Sequence, residues 1–251
     1  MHCPKCCNEL PPESDTCSCG FSLSKKSIKT IMPISDSQLH KFTHLIQPQT
    51  SLCSLAGRGP VRPTFTNNNP ARYAVFNSIT DNAAVGNEQN FVRIAEKGNG
   101  SIYSSDIKIE PGKQYEVYIY YHNDASGTYN DAAHGYSGVA RDVRLSTMFP
   151  PELMAGEKGA VLGTITASNT NPKAVWDYAY ITATDDLSLH YVTGSAKLHN
   201  AWTQKGGRNL SPEHLFSKKG ALLGLAELNG IILGCAEYSG HIVYTIQTRK
   251  T

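Results

Sequence analysis

Charge is scarce in this sequence: Asp, Glu, Lys and Arg make up 18% of its 251 residues, against ~25% in ordinary soluble domains. The formal net charge is +2, and the only lysine doublets are Lys25-Lys26 and Lys218-Lys219. A nucleic-acid-binding surface needs a denser basic footprint, which argues against nucleic acid as a partner. Long apolar runs are missing too. The richest, Ala221 to Leu228 and Ile231 to Ala236, are interrupted by Gly or charge and fall short of the ~20 residues that span a bilayer. No membrane span is expected. Behind Met-His-Cys-Pro-Lys-Cys there is no apolar segment of the kind that marks secretion, which places the expected location in the cytoplasm.

Sustained 3.6-residue periodicity and strand-helix alternation are absent as well, which argues against a helical or α/β body. Ser195 with His190 or His199 lacks a Gly-x-Ser-x-Gly turn and does not read as a hydrolase triad. Gly220 to Gly234 has no phosphate-loop pattern.

What the chain does have is Gln114 to His122 (Q-Y-E-V-Y-I-Y-Y-H), where aromatic and β-branched residues run almost without a break between two turn clusters. It reads as a central strand. Alternation places Tyr115, Val117, Ile119 and Tyr121 on a core face and Glu116, Tyr118, Tyr120 and His122 on an amphipathic one. Further strand-like runs cover 72–79, 89–95, 101–109, 139–148, 160–167, 174–184, 187–192 and 241–248, and Gly, Asn, Asp or Pro separate most of them. A short helix is expected near Ser211 to Phe216, where Ser-Pro-Glu gives a start signal. The fold class that follows is mainly β, an antiparallel sandwich over residues 64–251.

Five of the seven cysteines fall within the first 19 residues. Cys3-Pro-Lys-Cys6 is a two-ligand knuckle, and Cys17-Ser-Cys19 supplies the second pair. Four thiolates favour a tetrahedral, structural Zn2+ with no open position for catalysis; unligated thiols are the plain alternative. Residues 1–23 would form this head and residues 24–63 a linker, with a short helix over 36–46. The head resembles the short zinc-ribbon family of bacterial proteins in its Cys-Pro-x-Cys, its Leu-Pro segment and its paired cysteines before Gly20 and Phe21. Its second pair is one residue tighter than the family pattern, so Cys7 or His2 competes with Cys19 for the fourth position.

The body carries a resemblance of its own. Phe76 to Asn82, Glu88 to Val92, Tyr121-His-Asn123, the Gly138-Val-Ala-Arg-Asp-Val-Arg segment before Phe149-Pro-Pro151, Tyr191 to Ser195, Leu215 to Leu223 and Gly230 to Gly240 resemble an uncharacterised immunoglobulin-like β-sandwich family of bacterial surface and envelope-associated proteins. The resemblance implies non-enzymatic, adhesion-like domains and, as an alternative location, the cell surface.

Two polar clusters stand out as candidate sites. His122, Asp124, Asn130, Asp131 and His134 share one loop, where a calcium ion competes with an ordinary Asn/Asp/Gly loop as the explanation. Asp81, Asn82, Asn87 and Glu88 form a similar group around Val85-Gly86. Tyr118 and Tyr120, with His122, Asp124, Asp131 and His134, make a candidate binding surface. Trp176 and Trp202 read as core or interface aromatics and Cys235 as a buried apolar side chain. The preferred function is a non-catalytic interaction or assembly protein, a zinc ribbon tethered to a recognition sandwich that meets a protein partner or copies of itself. One alternative is a regulator contacting nucleic acid through Lys5, Lys25, Lys26 and Lys29, and another is a metal-dependent enzyme using the 122–134 loop.

Overall fold

The computed structural model describes residues 58–98 and 102–251. The four-cysteine head, Lys5, Lys25, Lys26 and Lys29, and the helix expected over 36–46 lie outside the described residues. In chain order the strands are β1 (Val92–Glu96), β2 (Asp106–Ile109), β3 (Gln114–Tyr121), β4 (Arg144–Met148), β5 (Glu152–Leu153), β6 (Lys158–Thr166), β7 (Ala174–Ala183), β8 (Leu187–Tyr191), β9 (Lys197–Asn200), β10 (Arg208–Asn209), β11 (Ala221–Leu222) and β12 (Gly240–Lys250). Among the described residues one short α-helix, α1 (Pro212–Leu215), starts on the proline that the sequence marked, although Ser211 before it makes no side-chain cap, and three 3-10 turns cover Gly127–Asn130, Ala132–His134 and Ala236–Tyr238.

The strands form two sheets. The first runs β1-β3-β12-β8-β5, with β9 also on β12 and β10 on β9; the second runs β11-β4-β6-β7-β2. Strand β12 is long enough to take β3 along one edge and two shorter partners along the other: β9 opposite Gly240 to Val243 and β8 opposite Ile246 to Lys250. The backbone between β8 and β9 leaves the sheet there, and Ser195 fills the gap: its hydroxyl accepts the Thr245 N–H at 2.9 Å. Ser195 thus has a structural task in the ladder. All named pairings are antiparallel except β2 on β7, which is parallel, a departure from the purely antiparallel sandwich expected.

Each sheet buries one face against the other. Val117, Ile119, Tyr121, Ile242, Tyr244 and Ile246 from the first share a core with Val161, Ile165, Val175, Ala179 and Ile181 from the second. Burying each of the larger side chains is worth about 1.5–3 kcal/mol. Gly163 of β6 marks how close the sheets come: a Cβ there would stand 2.7 Å from Val92 Cγ2. The alternation read for the central strand holds on its core face, where Tyr115, Val117, Ile119 and Tyr121 are at most 1% exposed.

Two segments behave differently from expectation. Residues 72–79 form no ladder strand; isolated bridges at Ala71, Phe76 and Ile79 hold the segment against residues 123–125 and Phe65. Asn77 has φ 49, a left-handed conformation that Asn tolerates and that interrupts a strand. The stretch 58–63, assigned to the linker, packs on the body. Gly59 and Trp176 exchange backbone hydrogen bonds at 2.9 and 2.8 Å, and Arg62 is 8% exposed.

Candidate functional site

Beyond Tyr121 the chain continues as if β3 had not ended, because the Asn77 side chain stands in for a neighbouring strand. Its carboxamide accepts the His122 N–H at 2.8 Å and donates to the Tyr120 carbonyl at 3.0 Å. Asn77 N–H donates in turn to the His122 carbonyl, and Asp124 N–H to the Val75 carbonyl. This pairing fixes His122 and Asp124, two residues apart, on the same side of an extended segment. Glu88 reaches them from the loop before β1, held by its N–H on the Ile79 carbonyl at 2.9 Å.

The three side chains meet out of contact with solvent: Glu88 is 0%, Asp124 1% and His122 2% exposed. His122 Nδ1 lies 2.9 and 3.2 Å from the two Glu88 oxygens and 3.1 Å from Asp124 Oδ1. Each carboxylate is anchored on its other contacts. Glu88 Oε1 accepts from Asn82 Nδ2 at 2.5 Å, while Asp124 Oδ2 accepts the N–H groups of Ser78 and, at 3.1 Å, Ile79. Two atoms are left over: His122 Nε2 and Asp124 Oδ1 are buried without a hydrogen-bond partner. Burial, and after it the Glu88 carboxylate, push the Asp124 carboxyl well above the usual carboxylate range. Two acids and an imidazole sealed together need positive charge, as protons or as a cation. Among the described residues this is the one set of three or more His, Cys, Asp or Glu donors converging within 4.8 Å.

The expected surface of Tyr118, Tyr120, His122, Asp124, Asp131 and His134 does not exist as one patch. Tyr120 at 8% exposure, His122 and Asp124 face inward, because β3 is covered on its second face toward its end as well as on its core face. Tyr118 is half-buried, its ring between Tyr103 and His241 at centroid distances of 5.2 and 4.7 Å. Asp131 and His134 remain exposed and pair with each other, Oδ1 to Nδ1 at 2.8 Å, and that bond holds Asp131 below the usual carboxylate range. Asn130 is tied to both backbone groups of Gly234. The loop therefore does not gather its oxygens on an ion: His122 and Asp124 turn into the protein, and the other three bond elsewhere. The sequence held all three members of the buried set but divided them between two clusters, with Glu88 in the other one.

A second feature lies on the surface. Asn200, at the end of β9, accepts the Trp202 N–H at 2.9 Å and donates to the Gly224 carbonyl at 3.0 Å, which sets the turn that carries Trp202 outward. Trp202 is 41% exposed and stacks on Tyr238 with centroids 5.0 Å apart and planes 15° from parallel. With Leu225, Ile231 and Leu233, and with Glu227 and Asn229 as polar members, it lines a groove of about 380 Å³. Of the core and interface readings of the tryptophans, the core one fits neither Trp202 nor Trp176, which is half-exposed against Gly59, and Cys235 is half-buried in place of the fully buried position expected.

Comparison with known proteins adds no relative: no protein-family model matches the chain, and neither a curated protein nor a solved structure matches it.

Proposed function

We propose that this chain is a non-catalytic interaction protein whose β body, immunoglobulin-like in the sense of the motifs quoted above, presents the Trp202 groove to a protein surface, with an N-terminal Cys3, Cys6, Cys17 and Cys19 ribbon held by structural zinc. The exposed stack of Trp202 on Tyr238 beside apolar Ile231 and Leu233 carries the reading, since rigid aromatic area next to an apolar groove is what contact hot spots are made of. Sheet edges offer less. The outer strands β5, β10 and β11 have two residues each, β2 has four, and β1 is covered by a bridge from Ile94 to Ser104, so partner pairing along an edge has little to build on.

The enzyme alternative finds no support in the buried cluster, where Glu88, His122 and Asp124 have no exposure for a substrate to reach. For nucleic acid, the lysines of residues 5–29 supply few phosphate contacts. The first partner to test is a second copy of the chain. Native mass spectrometry and light scattering over micromolar to millimolar protein are expected to show concentration-dependent dimers that Trp202→Ala dissolves. A wild-type chain that stays monomeric over that range removes self-assembly from the reading.

A further inference from the structure

We propose that Glu88, His122 and Asp124 form a buried three-ligand site for a first-row divalent metal ion, zinc or manganese, separate from the cysteine head. The spacing is the first argument. Donors bound tetrahedrally to one such ion at about 2.0–2.2 Å stand about 3.3–3.6 Å apart; His122 Nδ1 lies 2.9 and 3.2 Å from the Glu88 oxygens and 3.1 Å from Asp124 Oδ1, and all three donors lie within 4.8 Å of one another. Shifts of a few tenths of an ångström would bring the atoms to coordination spacing.

Charge is the second argument. Two carboxylates and a neutral imidazole carry two negative charges that one divalent ion cancels. Arg62 is the neighbouring cation, but its guanidinium bonds Ser78 Oγ and the carbonyls of Asn77, Gly59 and Pro60. Its charge attracts Asp124, but a single positive charge cancels only one of the two negative ones.

The orphaned acceptor is the third. Asp124 Oδ1 is buried, has no hydrogen bond and faces His122 Nδ1. An acceptor left unsatisfied is costly in a dry site, and a cation between Oδ1 and Nδ1 completes it. The supporting contacts also suit a metal: Asn82 orients Glu88, and the N–H groups of Ser78 and Ile79 orient Asp124 through its other oxygen.

Ligand chemistry narrows the ion. One imidazole and two carboxylates suit zinc or manganese; calcium takes six to eight oxygens at longer distances, and copper(I) prefers sulfur. With no opening to solvent, the role is structural, and the ion enters as the chain folds. It would fasten the segment from Asn77 to Glu88 to the end of β3. Asn123, between two of the ligands, donates to the Ile232 carbonyl at 3.0 Å, so the ion would also steady one wall of the Trp202 groove.

The experiment uses the full chain carrying Cys3→Ser and Cys6→Ser, so that thiolates of the head do not dominate the metal count. The protein is unfolded with chelator and refolded into zinc, manganese or chelator, desalted, and assayed for metal per chain and for melting temperature. About one ion per chain is expected, with melting raised by about 5 °C over the chelator sample, and both effects absent in Glu88→Gln. No retained metal and identical melting in chelator would overturn the site, as would equal retention by Glu88→Gln and Asp124→Asn. Should both of these variants fail to fold, cobalt(II) refolded into the cysteine-substituted chain decides. Visible bands without thiolate charge transfer support the site, and a colourless protein rejects it.

Discussion

Asp177 of β7 accepts the backbone N–H of Val92, the first residue of β1, at 2.9 Å, so a carboxylate from one sheet completes the hydrogen bonding of a strand in the other. The side chain is almost fully buried. Burial pushes its carboxyl above the usual range, against the pull of the Val92, Tyr178 and Phe91 N–H groups and of Arg58. A raised carboxyl favours the native state when protonated, so ionisation of this group at neutral pH costs stability that is recovered as pH falls through its folded value. Asparagine keeps the acceptor and removes the charge. Asp177→Asn should therefore match or exceed the wild type in urea unfolding at pH 7, while Asp177→Ala, which orphans the Val92 N–H, should lose about 2–3 kcal/mol. Equal losses for both would show that the charge, not the acceptor, matters.

The closeness of the sheets at Gly163 gives a second test. A Cβ at this position would come within 2.7 Å of Val92 Cγ2 and 3.3 Å of two Ile119 carbons, and all three residues lie in regular strands that cannot shift independently. Gly163→Ala should destabilise by about 1–3 kcal/mol through overpacking. In an isolated strand the same change would help, because alanine is the less flexible residue. A stabilised Gly163→Ala protein in thermal unfolding would contradict the face-to-face packing.

How legible all this was in the sequence depends on length and polarity. Strands β3, β6, β7, β8 and β12 were readable because each carries enough alternating aromatic and β-branched residues to establish a period. Two residues cannot establish one, so β5, β10 and β11 left no signal. Nor did β9, four polar and apolar residues between turns. Residues 72–79 misled for the opposite reason: their apolar side chains are buried, but Asn77 breaks the extended backbone. The buried acid cluster ran against the expectation that Asp and Glu in Asn-rich loops face water. Glu88 and His122 are 34 positions apart, and nothing local announces that they meet. Tyr120 was legible as half of an alternating pair and illegible as a buried residue, because burial of the second face depends on loops that pack over it.

The contact between Thr147 of β4 and Tyr244 of β12 offers a third prediction, since these strands belong to different sheets. Thr147 donates its hydroxyl hydrogen to the Leu162 carbonyl at 2.7 Å, so at 2.9 Å from Tyr244 its oxygen is the acceptor and the phenol the donor. Tyr244 is fully buried, and burial raises its phenol pKa, which keeps it protonated and able to donate. Tyr244→Phe removes one bond and strands no donor, for an expected loss of about 1 kcal/mol. Thr147→Val is the harsher change, at about 2–3 kcal/mol, because the phenol is left without an acceptor. The double variant should lose less than the sum of the two, and a double-mutant cycle by denaturant unfolding measures the difference. Strict additivity would mean that the two hydroxyls do not interact.

The last prediction concerns acid. His241 of β12 stacks between Tyr118 and His199, with centroids 4.7 and 5.0 Å away. Burial, and after it His199, push its imidazole from the ordinary 6.5 down to about 4, while Glu116 pulls weakly upward. The unfolded chain therefore takes the proton first as pH falls, and the folded chain refuses it until about pH 4. Stability from this residue is complete above the unfolded value, drains away between about pH 6.5 and 4, and is level below that. Glu116 and His199 lie beside it, so the comparison must be with a variant that leaves them in place. His241→Phe retains a ring for the stack and removes the proton site. Measured by urea unfolding at successive pH values, wild type minus variant should be constant above pH 7 and fall as the pH drops from 6.5 to 4. Parallel curves across that range would mean that His241 titrates alike in the folded and unfolded chain.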